Sequence, residues 1–323
     1  MMFTRKLMFP DQTMPFIVQP EAAQENVTVN NLLSYYTANQ EFLEMKLLDH
    51  GAILFRGFGV KTPASFARCV RSLNSNLLNY IDGNSPRTKL ADGVYTSTEY
   101  PSEYYISMHN ELSYSNKWPR RLFFGCIVAP QEQGETPIAD SRVILKSIDP
   151  NVVEEFTRKG VKYVRNLQGG NGVGPSWQDT FETTDKAVVE EYATACGSEV
   201  QWQADGSVKL TQVRPAVAEH PQTKQPVWFN QADQFHPSTH PRKVYETMMS
   251  VYAGKEDALP QNAFFGDDTP IPVAMLEHIR ETTKKSAVLF PWQAGDLLVI
   301  DNMLTCHGRM PYAGPRKILV SMS

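Results

Sequence analysis

Asp296-Leu-Leu-Val-Ile-Asp-Asn-Met-Leu-Thr-Cys-His307-Gly-Arg309 is the stretch on which the fold turns. Leu297 to Ile300 form an apolar run of strand length, Asp301-Asn302 is a turn signal, and a second strand returns carrying His307. Far upstream, Ser107-Met-His109-Asn-Glu111 ends another extended run. Residues i and i+2 of an extended chain project from the same face, so the His109 imidazole and the Glu111 carboxylate can reach one point. Two His and one carboxylate on one face leave three coordination positions open. This is the facial triad suited to non-haem Fe(II) that must also take a co-substrate and oxygen. His-x-Glu alone is a common accident, produced by any exposed strand His beside a solvated Glu. Its companions give it weight. Arg316 opens RKILVSM, which reads as the terminal strand, and its fork suits one end of a dicarboxylate at the metal. A hydroxyl such as Thr136 would be the second anchor.

The composition agrees with a globular protein that handles small molecules. The chain has 323 residues, 41% of them hydrophobic and 20% charged, with 22 Pro and 19 Gly, which excludes a disordered chain, a collagen-like repeat and a long coiled coil. A net charge of −4 announces no nucleic-acid or anionic-membrane surface. Cys69, Cys126, Cys196 and Cys306 lack C-x-x-C spacing and read as reduced thiols, Cys306 facing the core. No segment has the apolar length of a membrane span, so a cytoplasmic location is expected.

Strand patterns occupy 51–58 and much of 90–145, and a helix begins at Thr62-Pro63. Asp149-Pro150 opens a helix that Gly160 ends, and helical spacing recurs at 185–196, 241–253 and 272–284. Strand patterns at VKYVRNL, KLTQVRPAVAE and PVWFN lie between them. No linker divides the chain. We expect one domain over 1–323, mainly β with flanking helices, whose strand-rich first and last thirds enclose a helical and lid-bearing insertion at about 150–290.

Four segments make the chain recognisable: His109-Asn-Glu111, Gly134-Glu-Thr136-Pro-Ile-Ala-Asp140-Ser-Arg142, GDLLVIDNMLTCHGR and GPRKILV. In this order and spacing they resemble the Fe(II)/2-oxoglutarate oxygenases of the taurine dioxygenase (TauD/TfdA) and clavaminate synthase-like superfamily. More narrowly, the chain is similar to the branch that includes syringomycin-type aspartyl hydroxylases of natural-product pathways. Trp118-Pro119-Arg120, Trp177-Gln178, Pro226-Val-Trp-Phe-Asn-Gln231 and Phe235-His236-Pro237-Ser238 are also similar to that branch, and the resemblance runs from about residue 50 to the C-terminus.

The resemblance implies a distorted double-stranded β-helix, or jelly-roll, core. It implies that His109, Glu111 and His307 ligate Fe(II), that Arg316 pairs with the distal carboxylate of 2-oxoglutarate, and that Thr136 donates to it. With O2, oxidative decarboxylation to succinate and CO2 would drive oxidation of a substrate C–H bond, hydroxylation by default, with desaturation and cyclisation also open. Glu111 replaces the Asp of many relatives; it keeps the charge on a longer arm and argues against a halogenase, where Gly or Ala opens a halide position. Relatives that bind taurine carry a second Arg four residues after the first; here Val320 stands there, which speaks against a clamped sulfonate. The implied substrate is a small amino acid, free or tethered to a carrier protein, or a related small carboxylate, and no nucleic-acid or membrane partner is expected.

Other assignments follow from position. Tyr105, Arg309, Asn230 and Trp228 are candidates for the substrate pocket. The glycine-rich 165–182 stretch is a candidate lid. His236 and His240 suit a loop or capping role, and His50, His220 and His278 read as surface residues. Two rival readings use the same residues: a zinc hydrolase with Glu111 as base, disfavoured by the lack of an H-E-x-x-H helix, and a metal-free jelly-roll binding protein, in which Arg316 and Thr136 have no common partner.

Overall fold

The central strands are apolar at almost every position because they have a core on each side. In the computed structural model, which describes residues 2–21, 27–83, 85, 87–170, 172 and 174–323, a large sheet runs in the order Phe3–Leu7, Phe16–Pro20, Ala52–Phe55, Leu297–Asp301, Arg121–Val128, Lys317–Met322, Val94–Thr96, Lys89–Ala91. Its pairs are antiparallel except Phe16–Pro20 with Ala52–Phe55. On one face Phe123, Leu297, Val299 and Leu319 pack against Leu32 of the helix Val29–Ala38 and against Phe66 and Val70 of the helix Pro63–Leu73. On the other, Leu122, Phe124, Leu298, Ile300, Ile318 and Val320 pack with Ile138, Phe290 and Trp292. Strand alternation therefore assigns successive residues to two different cores.

A three-stranded sheet faces that second core, with Thr305–Arg309 between Ile106–His109 and Ile138–Asp140. The expected strand, turn and returning strand are present, but the return enters a different sheet. Residues 301–304 carry the chain from the large sheet to the small one, so the pair is a crossover and not a hairpin. The two sheets meet where the Phe124 ring lies 5.0 Å, centroid to centroid, from the His307 ring.

Local chemistry explains the helices. Thr62 caps Pro63–Leu73 by accepting from the Ser65 N–H, and Pro63 occupies the first turn. Asp149 caps Pro150–Lys159 in the same way, and Gly160 ends it at φ +69°, a backbone region that favours glycine. Lys186–Ala195, Arg242–Val251 and Val273–Lys285 fall within the helical patterns read from the sequence, give or take a residue or two. Val29–Ala38 and Gln40–His50 were not anticipated. The second buries only Leu43 and Leu47, too thin a stripe to read as amphipathic. Between 150 and 290 the chain also builds an antiparallel sheet, Glu199–Trp202, Val208–Arg214, Val161–Leu167, Gln261–Phe265, so this region is sheet as well as helix. Among the described residues, no helix is long and apolar enough to cross a membrane.

At Gly125 the Phe66 ring packs directly over the Cα and leaves no room for a Cβ. Gly125→Ala is expected to cost about 1–3 kcal/mol in urea denaturation, the usual range for overpacking. Adding Phe66→Leu should then cost less than the same change in the wild type, and equal costs would refute the assigned contact.

Candidate metal centre

His109 and His307 are direct cross-strand partners in the small sheet, their ring centroids 4.6 Å apart. Glu111 completes the set, its Oε2 4.0 Å from His307 Nε2. One donor atom from each of the three lies within 4.8 Å of the others, and all three residues are buried. The convergence does not come from the pleat alone. The strand ends at His109, and the chain turns through Asn110 to Leu112, whose φ is +54°.

Asn302 fixes that turn. Its Oδ1 accepts from the Glu111 N–H at 2.8 Å, and its Nδ2 donates to the carbonyls of Glu111 and Pro119, each at 2.9 Å. Asn110 returns the grip, donating to the Asn302 carbonyl at 2.6 Å. Asn302 is fully buried, and only a turn signal marked it in the sequence.

The donors are held in the form a metal needs. His109 Nδ1 lies 2.9 Å from the Ser107 carbonyl, which directs Nε2 toward the other two donors, and the Gln234 amide lies 3.3 Å from the same Nδ1. Burial lowers the pKa of His109 and holds that of His307 well below the usual imidazole range; His109 and Arg87 push His307 further down. Both rings are therefore neutral. Burial pushes the Glu111 carboxyl up, but the Arg87 guanidinium and His109 outweigh it, so the group sits below its ordinary range and is ionised. His307 Nδ1 is buried without a hydrogen-bond partner among the described residues. Two neutral imidazoles and a carboxylate facing one point fit Fe(II).

Two residues not anticipated from the sequence touch the carboxylate. Arg87 Nη2 donates to Glu111 Oε2 at 2.6 Å, and the Tyr80 hydroxyl donates to Oε1 at 3.3 Å. The guanidinium lies 4.0 Å over the Tyr80 ring. Arg87 lies two residues before the short strand Lys89–Ala91, with no periodic pattern to mark it.

His109 is the wall between two cavities. One is lined by His109, His307, Arg87, Thr136, Arg316 and Arg309. Arg316 donates to the Gly134 carbonyl at 2.9 Å and to Ser97 Oγ at 3.3 Å, and lies 3.5 Å from Thr136 Oγ1. Thr136 in turn accepts from Trp292 Nε1 at 3.1 Å. Burial, then Arg309, lowers the pKa of Arg316 to about 10, still charged at neutral pH. Val320 lines this cavity as an apolar wall.

The second cavity holds Tyr105, Trp228 and Asn230 together with the ion-paired Asp233 and Arg280. The four residues expected around the substrate are thus divided. Arg309, on the first cavity, donates to the carbonyls of Thr98, Tyr100, Pro101 and Tyr104, fastening that loop. Asn230 uses both ends of its amide on backbone, and Trp228 packs on Phe156.

The remaining histidines follow expectation with one correction. His236 caps a short turn by accepting from the Ser238 N–H, and His50 and His278 bond to backbone near the surface. His220 is not a surface residue. It is buried, with Nε2 3.2 Å from Asp301 Oδ2, because the two residues close the crossover turn from below. Cys306 is buried as expected, beside the Ala139 carbonyl. Of the 165–182 stretch, Asn171 and Val173 lie outside the described residues, and none of the described ones lines either cavity.

Comparison with known proteins agrees with this chemistry. The chain matches the family described as taurine catabolism dioxygenase TauD, TfdA over residues 16–322. It is 34% identical to the dapdiamide synthesis protein DdaC of Enterobacter agglomerans, covering 95% of this chain and 91% of that one. It is 30% identical to a clavaminate synthase-like protein of Arabidopsis thaliana, covering 97% and 94%. Among solved structures it is similar to PvcB of Pseudomonas aeruginosa, an Fe, alpha-ketoglutarate dependent oxygenase from an isonitrile synthetic pathway. The TM-score is 0.55 at 15% identity, with 99% of this chain and 89% of that chain covered. The chain belongs to the TauD/TfdA family and is an Fe(II)- and 2-oxoglutarate-dependent dioxygenase.

Proposed function

We propose that His109, Glu111 and His307 are the iron ligands of this enzyme, that Arg316 and Thr136 hold the distal carboxylate of 2-oxoglutarate, and that the enzyme oxidises a C–H bond of a small amino-acid-like acid. The observation that carries the reading is the convergence of the three donors, two of which, His109 and His307, stand on the wall of the cavity that also holds Arg316 and Thr136. Its two ends match a ligand that chelates a metal with one end and offers a carboxylate at the other. The two facing sheets support a double-stranded β-helix core, and 1–323 acts as one domain in which the 150–290 region supplies Trp228, Asn230, Asp233 and Arg280 to the second cavity.

Iron and 2-oxoglutarate, when bound, supply an oxidant strong enough to take hydrogen from an unactivated carbon. The chain's residues do the rest. Asn302 and Asn110 orient Glu111, and the Ser107 carbonyl orients His109. Arg316 sets the direction of the co-substrate. Phe124, Ile318 and Val320 exclude water. Hydroxylation is the proposed outcome. The likeness to a protein named for dapdiamide synthesis supports a place in natural-product biosynthesis, on an amino acid either free or carrier-bound.

Three outcomes test the reading. Anaerobic addition of Fe(II) and 2-oxoglutarate should give a weak visible charge-transfer band that His109→Ala abolishes; a band that survives the substitution contradicts the ligand assignment. Arg316→Ala should raise the Kd for 2-oxoglutarate about 10–100-fold by calorimetry, the worth of a charged hydrogen-bonded pair, with Mn(II) affinity unchanged. Asn302→Ala should weaken Mn(II) binding about tenfold, as loss of a ligand's support does. A screen for succinate release across amino acids, with mass detection of +16 and −2 changes, identifies the substrate and the reaction.

A further inference from the structure

Arg87 has more hydrogen-bonding capacity than the structure uses. Its side chain is 4% exposed, and of its three nitrogens only Nη2 has a partner, Glu111 Oε2. Nε and Nη1 are buried without partners among the described residues. Such orphaned donors are costly, about 1–3 kcal/mol each; Nε and Nη1 lie on different edges of the guanidinium, and each can give a charge-assisted hydrogen bond to an anion. The residue lines the cavity that holds His109, His307, Thr136 and Arg316, so a ligand beside the metal is within its reach.

Charge balance points the same way. Arg87, Arg309 and Arg316 all line this cavity, whereas Glu111 is the carboxylate at the triad. A divalent metal and three guanidinium groups, set against Glu111 and a dicarboxylate co-substrate, leave an excess of two positive charges. Arg309 is engaged by four carbonyls and Arg316 by Gly134 and Ser97. Arg309 keeps one buried donor, Nε, without a partner among the described residues, and Arg87 keeps two.

We propose that Arg87 is an anion-binding residue that receives a carboxylate held beside the metal, which makes a carboxylate-bearing acid the substrate class of this enzyme. The proposal rests on the ligand assignment above. The carboxylate has two sources, the substrate or the metal-chelating end of 2-oxoglutarate, and the test separates them.

Wild-type protein, Arg87→Gln and Arg87→Lys are loaded with Mn(II) without oxygen, and the Kd values for Mn(II) and for 2-oxoglutarate are measured by calorimetry. Acetate or acetamide is then added to the ternary complex, and paramagnetic broadening of the methyl proton signal reports binding near Mn(II). The wild type should favour acetate at least tenfold over acetamide. Arg87→Gln takes a charged partner from Glu111, so its Mn(II) affinity is expected to fall about tenfold, and the anion measurements are therefore made at saturating Mn(II). If it erases the acetate preference while the Kd for 2-oxoglutarate holds, the receptor serves the substrate. If the Kd for 2-oxoglutarate rises at least tenfold, it serves the co-substrate, and carboxylate binding stands while the substrate class falls. If neither changes, or only Mn(II) affinity drops, Arg87 merely positions Glu111 and the proposal is overturned. Should Arg87→Gln fail to fold, Arg87→Lys decides: at least a threefold loss is expected, and wild-type values overturn the proposal. A wild-type protein that binds no 2-oxoglutarate with Mn(II) refutes the ligand assignment instead, whatever residue 87 does.

Discussion

An ionised carboxylate at 2% exposure is the constraint from which the rest of this structure follows. Removing Glu111 from water costs several kcal/mol unless its charge is met and its oxygens are bonded. The structure meets both needs locally: Arg87 and the Tyr80 hydroxyl bond the two oxygens, and two neutral imidazoles face the carboxylate without adding charge. The same burial that raises the carboxyl's pKa lowers those of the imidazoles. One low-dielectric site thus holds all three groups as lone-pair donors, and the guanidinium keeps the carboxylate from taking up a proton in their place.

Such a site has to be built on rigid elements, and the crossover at 301–304 supplies them. Asp301 Oδ1 accepts from the N–H groups of Met303 and Leu304, which closes the turn, and Oδ2 meets His220. Asn302 then clamps Glu111 from the next position. Four residues therefore tie the large sheet to the small one, hold one candidate ligand by its backbone and start the strand that carries another. The alternation in Arg121–Val128 completes the arrangement, since Phe123 anchors the helical side while Phe124 reaches the His307 ring.

The parts of this design that repeat locally were legible in the sequence. Capped helices at 63 and 150, the apolar run at 297–300 and the His-x-Glu spacing each have a short-range chemical cause. The triad and the Arg316–Thr136 pair were legible because order and spacing along the chain resemble a family, not because any one residue declares itself. What escaped is what depends on distant partners. His220 looks like a loop residue until Asp301 is placed against it. Arg87 has no pattern of its own, and its role exists only once Glu111 lies beside it. Trp228 and Asn230 line the second cavity and also pack on Phe156 or bond backbone, because a face that lines a cavity and a face that packs a sheet carry the same residue types.

Where the structure leaves polar groups unsatisfied is informative in its own right. Of the eight buried side-chain atoms without partners among the described residues, four belong to Arg87, His307 and Arg309, all of which line the one cavity. Native interiors satisfy such groups almost everywhere, so their concentration here marks a place where binding, not folding, completes the hydrogen bonding. It also reverses the impression left by the whole chain. A net charge of −4 describes the surface that governs solubility and long-range attraction. A ligand that has entered the cavity meets guanidinium groups screened from water, and at that distance the local balance outweighs the total. The mild acidity of the sequence therefore carries no weight against an anionic substrate; three arginines around one cavity decide the sign of the charge it favours.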